Sequence, residues 1–183
     1  MRKREFQLEL EKLNYKSQIG KGFGGTKNKG NPKSKRPFSR KHPTHVIFKS
    51  SLAKGQLSFL HHRHRKRIDD LVRRLAKKFY VDLKDYANVG NHLHLLISAP
   101  DRKCLAGFLK ALSGLVPRTL LGCHKGNPLG YSFWDSRPYS KVIALGRRPF
   151  AVIKQYFVKN RRQAEGSYRP KFVEGFDLFL SSA

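Results

Sequence analysis

Two histidines and a tyrosine are the residues of this sequence whose types and spacing could do chemistry together. His92 and His94 flank one apolar residue in a segment that is predicted to be a β-strand. Side chains alternate across a strand, so both imidazoles share one face and could bind one metal ion. Tyr156 lies in a predicted helix, with Asn160 one turn further along the same face. This combination allows a phenol oxygen to attack a phosphate that a divalent ion polarises.

Each of these residues also has a simpler interpretation. A histidine pair on a strand is more often a packing feature, Tyr156 could be a boundary aromatic, and Asn160 could lie at a solvated helix end. Two observations favour a site at the pair. The apolar residues beside the histidines indicate a central, rigid strand, and the preceding Gly90 turn puts the pair at a strand end that a substrate can reach. Gln163 is an alternative ligand to Asn160.

The chain is strongly basic, with a formal net charge of +27 and a pI of about 10.6. A fold alone does not require this excess, whereas a polyanionic partner explains it. On charge alone, a generic basic protein such as a ribosomal or nucleoid component remains open. We assign nucleic-acid binding to basic residues at the start and on the outer face of the first predicted helix: Arg63, Arg65, Lys66, Arg67, Arg73, Arg74, Lys77 and Lys78.

Several other classes of protein are disfavoured by the sequence. It contains no P-loop, no dinucleotide-binding fingerprint and no zinc-finger spacing. Cys104 and Cys123 lie too far apart for a C-x-x-C motif and are too few for a disulfide framework, which predicts reduced thiols in the cytoplasm. No run of eighteen apolar residues occurs, and the N-terminus lacks the apolar region of a signal peptide, so we expect no membrane partner.

The 183 residues suit one domain with a tail. Residues 1–43 are predicted to be a disordered basic arm, because a segment so rich in Gly, Asn, Ser, Pro and Lys cannot bury enough apolar surface to offset its ordering entropy. The arm either binds phosphates through its charge or only improves solubility. Residues 44–183 are predicted to form the folded domain.

Hydrophobic periodicity in that domain predicts the order β-α-β-β-α-β-α. This order predicts an α+β fold, a ferredoxin-like antiparallel sheet packed with helices. The predicted strands are 44–49, 82–88, 92–99 and a pair at 131–134 and 139–143. The predicted helices run from about 61 to 79, from about 105 to Pro117 or shortly beyond, and from Pro149 to about 162.

Several motifs resemble those of one known family. Asn91 to Ile97 is similar to the histidine–hydrophobic–histidine motif of the HUH single-tyrosine transposases. Tyr156 to Asn160 resembles their nucleophile helix, in which an asparagine follows the tyrosine by four residues. Phe133 and Trp134, followed by Tyr139, are similar to a strand pair of the REP-associated tyrosine transposase (RAYT) branch. The resemblance covers roughly residues 44–166.

The resemblance implies a mechanism, a cofactor and a partner. His92, His94 and Asn160 would bind Mg²⁺ or Mn²⁺, and Tyr156 would attack a phosphate in single-stranded DNA. The products would be a 5′-phosphotyrosine and a free 3′-hydroxyl, and a hydroxyl could reverse the step and rejoin the DNA. Substrates in the family are imperfect hairpins, so we expect single-stranded or hairpin DNA as the partner. A homodimer stays open, and the expected location is the bacterial cytoplasm, at the nucleoid.

Two other functions are compatible with the same residues. The first is a basic nucleic-acid-binding protein without catalysis, either an RNA-binding module or a domesticated transposase. The second is a relaxase or replication-initiator nickase that uses the same histidine pair. The small size of the chain and the lack of a helicase region in the sequence disfavour this second alternative.

Overall fold

The computed structural model describes residues 21–26, 34–124, 126–144 and 146–166. Within these ranges the chain forms five β-strands, three α-helices and a short 3₁₀-helix at Gly55–Leu57. In chain order the elements are β1 (Gly22–Phe23), β2 (Thr44–Lys49), α1 (Arg65–Lys78), β3 (Asp82–Asn88), β4 (His92–Ser98), α2 (Arg102–Leu121), β5 (Tyr139–Val142) and α3 (Arg147–Ala164).

The five strands form one sheet in the order β1-β5-β2-β4-β3, and every neighbouring pair is antiparallel. Without the short edge strand β1, the remaining strands have the ferredoxin-like arrangement, with β2 and β4 in the centre. The predicted α+β fold with an antiparallel sheet is therefore confirmed. In the central pair, His94 lies opposite Ile47 and His92 lies opposite Lys49.

Helices cover both faces of the sheet. On one face, α1 and α2 pack against alternate residues of the central strands, among them Val46, Phe48, Leu93, Leu95 and Ile97. On the other face, Ile153 and Phe157 of α3 pack on Ala87 and Leu96. Because side chains alternate along β4, the residues between its core leucines point towards α3. His92 and His94 therefore lie on the α3 face.

Helix α2 continues through Pro117 and ends at Leu121, shortly after the proline, where the sequence predicts its end. Proline has no N–H, so it leaves the carbonyl of Ser113 without its helical donor. The indole N–H of Trp134 donates to that carbonyl at 2.8 Å and replaces the missing bond. The helix ends at Gly122, whose φ of 65° is the left-handed conformation that favours glycine at this position.

By length and composition, α2 is also the one helix among the described residues that could cross a membrane. Its apolar side chains, however, lie in the main hydrophobic core of the protein, together with those of α1 and the sheet. A core helix of a globular domain can be as long and as apolar as a membrane-spanning helix, so α2 is explained by its place in the core.

The predicted strand at 131–134 is wrong, because these residues are not in a strand and β5 pairs with β1 and β2 instead. The segment is held by side chains and by its carbonyl groups. The ring of Phe133 is buried, the Ser50 hydroxyl donates to the Phe133 carbonyl at 2.5 Å, and Trp134 reaches α2. A β-rich composition therefore reflects burial here and not strand pairing.

Part of the predicted basic arm belongs to the sheet. Gly22 and Phe23 form β1 on the free edge of β5, and the guanidinium of Arg36 donates to the Pro138 carbonyl and to Ser140. Residues 1–20 and 27–33, on which the prediction of an arm also rests, lie outside the described residues, so the division of the chain at residue 43 stays a prediction.

Helix α1 begins at Arg65, later than the predicted start near residue 61. Phe59 is buried and its N–H donates to the carbonyl of Gly90 at 2.7 Å, which ties the preceding segment to the β3–β4 turn. The chain must then turn before a helix can form, and His61 to His64 lie in that turn.

Candidate active site

A cleft of about 550 Å³ lies between the sheet and the C-terminal half of α3. It contains all the sequence-predicted candidates for chemistry, since His92, His94, Tyr156, Asn160 and Gln163 line it. Its other walls come from the segment after β1, from β2, from the turns beside Leu60 and Asn91, and from the start of β5. These residues are Gly25, Thr26, Ile47, Lys49, Leu60, Val89, Asn91, Ser136, Tyr139 and Ala164.

The β3–β4 turn positions His92 at the mouth of the cleft. Gly90 has a φ of 89°, which favours glycine, and the Val89 N–H donates to the His92 carbonyl. The side-chain oxygen of Asn91 lies 2.7 Å from Nδ1 of His92. An amide oxygen can only accept, so Nδ1 carries the hydrogen and Nε2 keeps a free lone pair. His92 is thereby prepared to bind a metal ion through Nε2.

The protonation of His92 is also disfavoured. Burial lowers its pKa first, and the ammonium group of Lys49 lowers it further, while Asp135 acts in the opposite direction. A neutral imidazole is the form that binds metals. At neutral pH the ring is therefore available as a ligand.

His94 lies deeper than His92, with only 4% of its surface exposed. Burial holds its pKa well below the usual value, and the neighbouring rings of His45 and His92 lower it further. Its Nδ1 lies 3.4 Å from the hydroxyl oxygen of Tyr156. The phenol of Tyr156 is thus in contact with His94, the deeper histidine of the pair.

The phenol of Tyr156 is half-buried and stays protonated at neutral pH. Burial is the main cause that raises its pKa, and Tyr139 adds to the effect. The adjacent amide of Asn160 lowers the pKa and offsets part of the shift. A phenol in this state is a weak nucleophile, so attack on a phosphate needs groups that favour the phenolate.

Asn160 is buried, and its Nδ2 has no partner in hydrogen-bonding geometry among the described residues. Its amide acts on Tyr156 as a nearby dipole. Buried polar groups normally have partners, so an amide of this kind on a cleft wall is a candidate ligand-binding group. A half-turn of the amide exchanges its oxygen and nitrogen and would present an oxygen at the same position.

Helix α3 is held over the sheet by an ion pair and by apolar packing. The guanidinium of Arg161 lies 2.5 Å from the carboxylate of Asp85 and donates to the carbonyl of Tyr86 at 3.2 Å. One turn earlier, Phe157 is fully buried between the helix and the sheet. These contacts set the distance between Tyr156 and the strand that carries the histidines.

A third histidine, which the sequence analysis did not select, lies directly beneath this site. His45 on β2 is buried, and its ring stacks on that of His94 with centroids 5.8 Å apart. Burial lowers its pKa to about 3, with a further contribution from Lys141. The sequence places His45 on the predicted first strand, but its closeness to His94 depends on the register between β2 and β4, which no local pattern reveals.

The structure does not bring the predicted nucleic-acid-binding residues to the cleft. All eight are exposed, on α1 or in the turn before it, and α1 covers the opposite face of the sheet. Lys49 is the basic side chain among the described residues that lines the cleft itself.

No group of three or more histidine, cysteine, aspartate or glutamate side chains in the described ranges is arranged to hold a metal ion. The rings of His61, His62 and His64 are neighbours, but they too are not arranged to hold a metal ion. A metal in the cleft would therefore need Asn160, Gln163, water or substrate oxygens in addition to the two imidazoles.

Comparison with known proteins extends these observations. A family model described as "Transposase IS200 like" matches residues 40–160, which include both cleft histidines, Tyr156 and Asn160. The crystal structure of a candidate transposase from Deinococcus radiodurans is 21% identical, with a TM-score of 0.44, and the match covers 71% of this chain and 98% of that one. No curated protein matches the chain.

Proposed function

This chain belongs to the IS200-like transposase family of DNA-cleaving enzymes, and from that premise we propose that it cuts and rejoins single-stranded DNA through a covalent bond to Tyr156. One observation carries the proposal. The hydroxyl of Tyr156 lies 3.4 Å from His94 in a cleft that also contains His92 and Asn160. A nucleophile, two potential metal ligands and an amide thus lie within one small volume.

We propose that His92, His94 and Asn160 bind Mg²⁺ or Mn²⁺. The donor set fits such an ion, because Nε2 of His92 is free to coordinate and a half-turn of the Asn160 amide, whose Nδ2 has no partner among the described residues, would turn its oxygen to the cleft. Imidazole ligands suit Mn²⁺, whereas Mg²⁺ would rely more on oxygen ligands and water. When bound, the ion supplies charge stabilisation at the non-bridging oxygens of the scissile phosphate.

In the proposed reaction the phenol oxygen of Tyr156 bonds to phosphorus and the bond from phosphorus to the 3′-oxygen breaks. The phenol releases its proton to solvent, and the leaving 3′-oxygen takes a proton from solvent. With Nε2 as the ligand atom, His94 carries its hydrogen on Nδ1 and can donate it to the phenol oxygen, which favours the phenolate. The resulting 5′-phosphotyrosine keeps the number of phosphoester bonds constant, so a 3′-hydroxyl can reverse the step without ATP.

An unpaired strand suits this cleft better than a duplex. The cleft volume of about 550 Å³ is in the range of small-ligand pockets and has room for part of one strand. The ring of Tyr139 lines the wall and offers a stacking surface for a base. A hairpin would present such an unpaired segment next to a stem.

We further propose that the eight basic residues on and before α1 bind DNA phosphates outside the cleft. Their position across the sheet means that they would contact a part of the DNA other than the strand at Tyr156. Contacts of this kind add affinity without reading sequence. Membership of the REP-associated branch, a homodimer and a location at the nucleoid stay predictions.

The decisive experiment traps the covalent intermediate. A hairpin oligonucleotide with a label at its 3′ end, incubated with Mn²⁺, should give a labelled protein band on a denaturing gel, because a 5′-phosphotyrosine retains the 3′ fragment. Tyr156→Phe should abolish the band, whereas Tyr80→Phe, which alters a tyrosine that is 80% exposed, should not. A band that persists in Tyr156→Phe or in excess chelator contradicts the proposal.

A second candidate function is DNA or RNA binding without catalysis. The observation that favours it is the row of exposed basic residues on α1, which lies away from the cleft and could act alone. In that case nucleic-acid affinity would fall steeply with salt. Neither chelator nor Tyr156→Phe would then change any measurable property of the complex.

A further inference from the structure

We propose that His45 is a positioning residue of the active site, which orients the rings of His94 and Tyr156 although it does not itself line the cleft. The inference rests on the proposed function, since it assigns His45 a role in the cleavage step. The supporting observation is the packing of four side chains in the space between β2, β4 and α3: His45, His94, Tyr156 and Phe157.

Three histidines form a column across two strands. His45 stacks on His94 with ring centroids 5.8 Å apart and an angle of 17° between the ring planes. His94 stacks on His92 with the centroids 5.8 Å apart and an angle of 16° between the planes. Of these three rings, those of His92 and His94 line the cleft and that of His45 does not. His45 therefore forms the buried base of the column and can act on the reaction only through its neighbours.

The same ring also contacts the helix that carries the nucleophile. His45 meets Tyr156 edge to face with centroids 5.5 Å apart, and it meets Phe157 at the same distance. His94 makes a similar edge contact with Tyr156 at 5.3 Å. The Tyr156 ring thus rests on both deep histidines, and a change in the shape of His45 would move the phenol and its neighbour together.

A histidine at position 45 destabilises the fold, because one of its polar atoms is buried without a hydrogen-bond partner among the described residues. Its Nε2 is buried and has no hydrogen-bond partner among the described residues. An unpaired polar atom in the interior destabilises the fold, and an aliphatic side chain of similar size would avoid this. The imidazole is, however, a small, flat, neutral ring that fits between the sheet and α3 and packs on the rings of His94, Tyr156 and Phe157.

The test uses two substitutions that separate ring shape from burial. His45→Leu gives an apolar side chain of similar volume without a flat ring. His45→Phe is also apolar but has a flat ring. We expect the Leu variant to unfold at the same or a higher temperature than the wild type. Its rate of adduct formation at saturating DNA should fall by about 10- to 100-fold, because small displacements of reacting groups have effects of this size.

The Phe variant should recover part of that loss, and the DNA concentration that gives half-maximal rate should change little in either variant. Thr44→Val is the matched control, since Thr44 is equally buried on the same strand but points away from α3. A wild-type rate in His45→Leu would overturn the inference. So would a loss of activity that merely follows a loss of folded protein.

A second measurement needs neither metal nor DNA. Long-range ¹H–¹⁵N spectra of the histidine rings should show shifted His94 signals in His45→Leu and unchanged signals in Thr44→Val. Unchanged His94 signals in both variants would also overturn the inference. If the wild type forms no adduct, the proposed function fails on its own, and the spectra still report whether His45 orients His94.

Discussion

At the scale of single residues, the site depends on which nitrogen atoms carry protons. All three histidines of the column have lowered pKa values, with burial as the leading cause, so the column is neutral at pH 7. A neutral column can bind a cation at its open end, whereas a protonated one would repel it. The same neutrality has a consequence for stability in acid.

We expect acid to destabilise the protein partly through His45. In the unfolded chain this residue takes up a proton near pH 6.5, whereas in the fold its pKa is about 3. Burying the neutral ring therefore carries no protonation penalty above pH 6.5, and the fold loses about 1.4 kcal/mol of stability per pH unit as the pH falls from 6.5 towards 3. Urea unfolding between pH 7 and pH 4 should show a shallower pH dependence for His45→Leu than for the wild type. Equal slopes would show that the ring is protonated in the fold.

A second prediction at this scale concerns Asn91, whose side-chain oxygen orients His92. Asn91→Ala should weaken Mn²⁺ binding by about 10- to 100-fold, the usual effect of losing such a partner. The measurement is the Mn²⁺ concentration that gives half-maximal adduct formation. Asn127→Ala, in the exposed loop after α2, is the control and should leave this concentration unchanged. An unchanged Mn²⁺ requirement in Asn91→Ala would remove its assigned role.

At the scale of elements, α3 and α2 each depend on contacts with distant parts of the chain. The C-terminal half of α3 is held to β3 by Arg161, and α2 survives an internal proline because Trp134 replaces a missing donor. Neither element is stable for local reasons alone. Each contact can therefore be tested by a substitution that leaves the helix sequence almost unchanged.

Loss of the Arg161 ion pair should loosen α3 and slow cleavage. The side chain of Arg161 is 42% exposed, so solvent screens the pair and we expect Arg161→Gln to cost only about 0.5–1 kcal/mol of stability. The larger effect should be faster hydrogen exchange of the α3 amides and less adduct. Arg148→Gln removes the same charge from an exposed residue in the first turn of α3 and is the control. Equal exchange rates in the two variants would contradict the prediction.

The bond between Trp134 and Ser113 can be measured by a double-mutant cycle. Trp134→Phe removes the donor, while Pro117→Ala returns a backbone N–H to the Ser113 carbonyl. We expect Trp134→Phe to destabilise the fold less in the Pro117→Ala background than in the wild type, by about 1 kcal/mol. Urea unfolding of the four proteins gives the coupling. Strict additivity would mean that the carbonyl has another partner.

At the scale of the whole molecule, the chain carries a formal net charge of +27. The basic residues of α1 face solvent on the side opposite the cleft. If they bind DNA as proposed, DNA affinity and the chemical step can be separated. Such a separation is expected of an enzyme that binds a structured nucleic acid at one surface and cleaves an unpaired segment at another.

The double substitution Arg73→Gln and Arg74→Gln should therefore weaken DNA binding without slowing cleavage at saturating DNA. Each lost phosphate contact should lower the slope of log affinity against log salt by about one. Lys110→Gln with Arg118→Gln removes the same charge from α2 and is the control for net charge. If both pairs have equal effects, the α1 row has no special role in binding.

The sequence by itself determined which residues share one face of a strand or of a helix. Alternation placed His92 and His94 on one face, and the helical period placed Tyr156 and Asn160 on another, because both periods are properties of a few consecutive residues. The α+β class with an antiparallel sheet followed from the same patterns, and it is confirmed. The eight exposed cations were also recognisable as a charged helix face.

Only the tertiary structure decided which of these local features meet. The register between β2 and β4 brings His45 under His94, and the pairing of β5 with β1 leaves residues 131–134 outside the sheet. The bond from Trp134 extends α2, and the packing of α1 turns its basic face away from the cleft. Register, pairing and packing depend on contacts between residues far apart in the chain, and a periodic pattern contains no information about which partner a face will find.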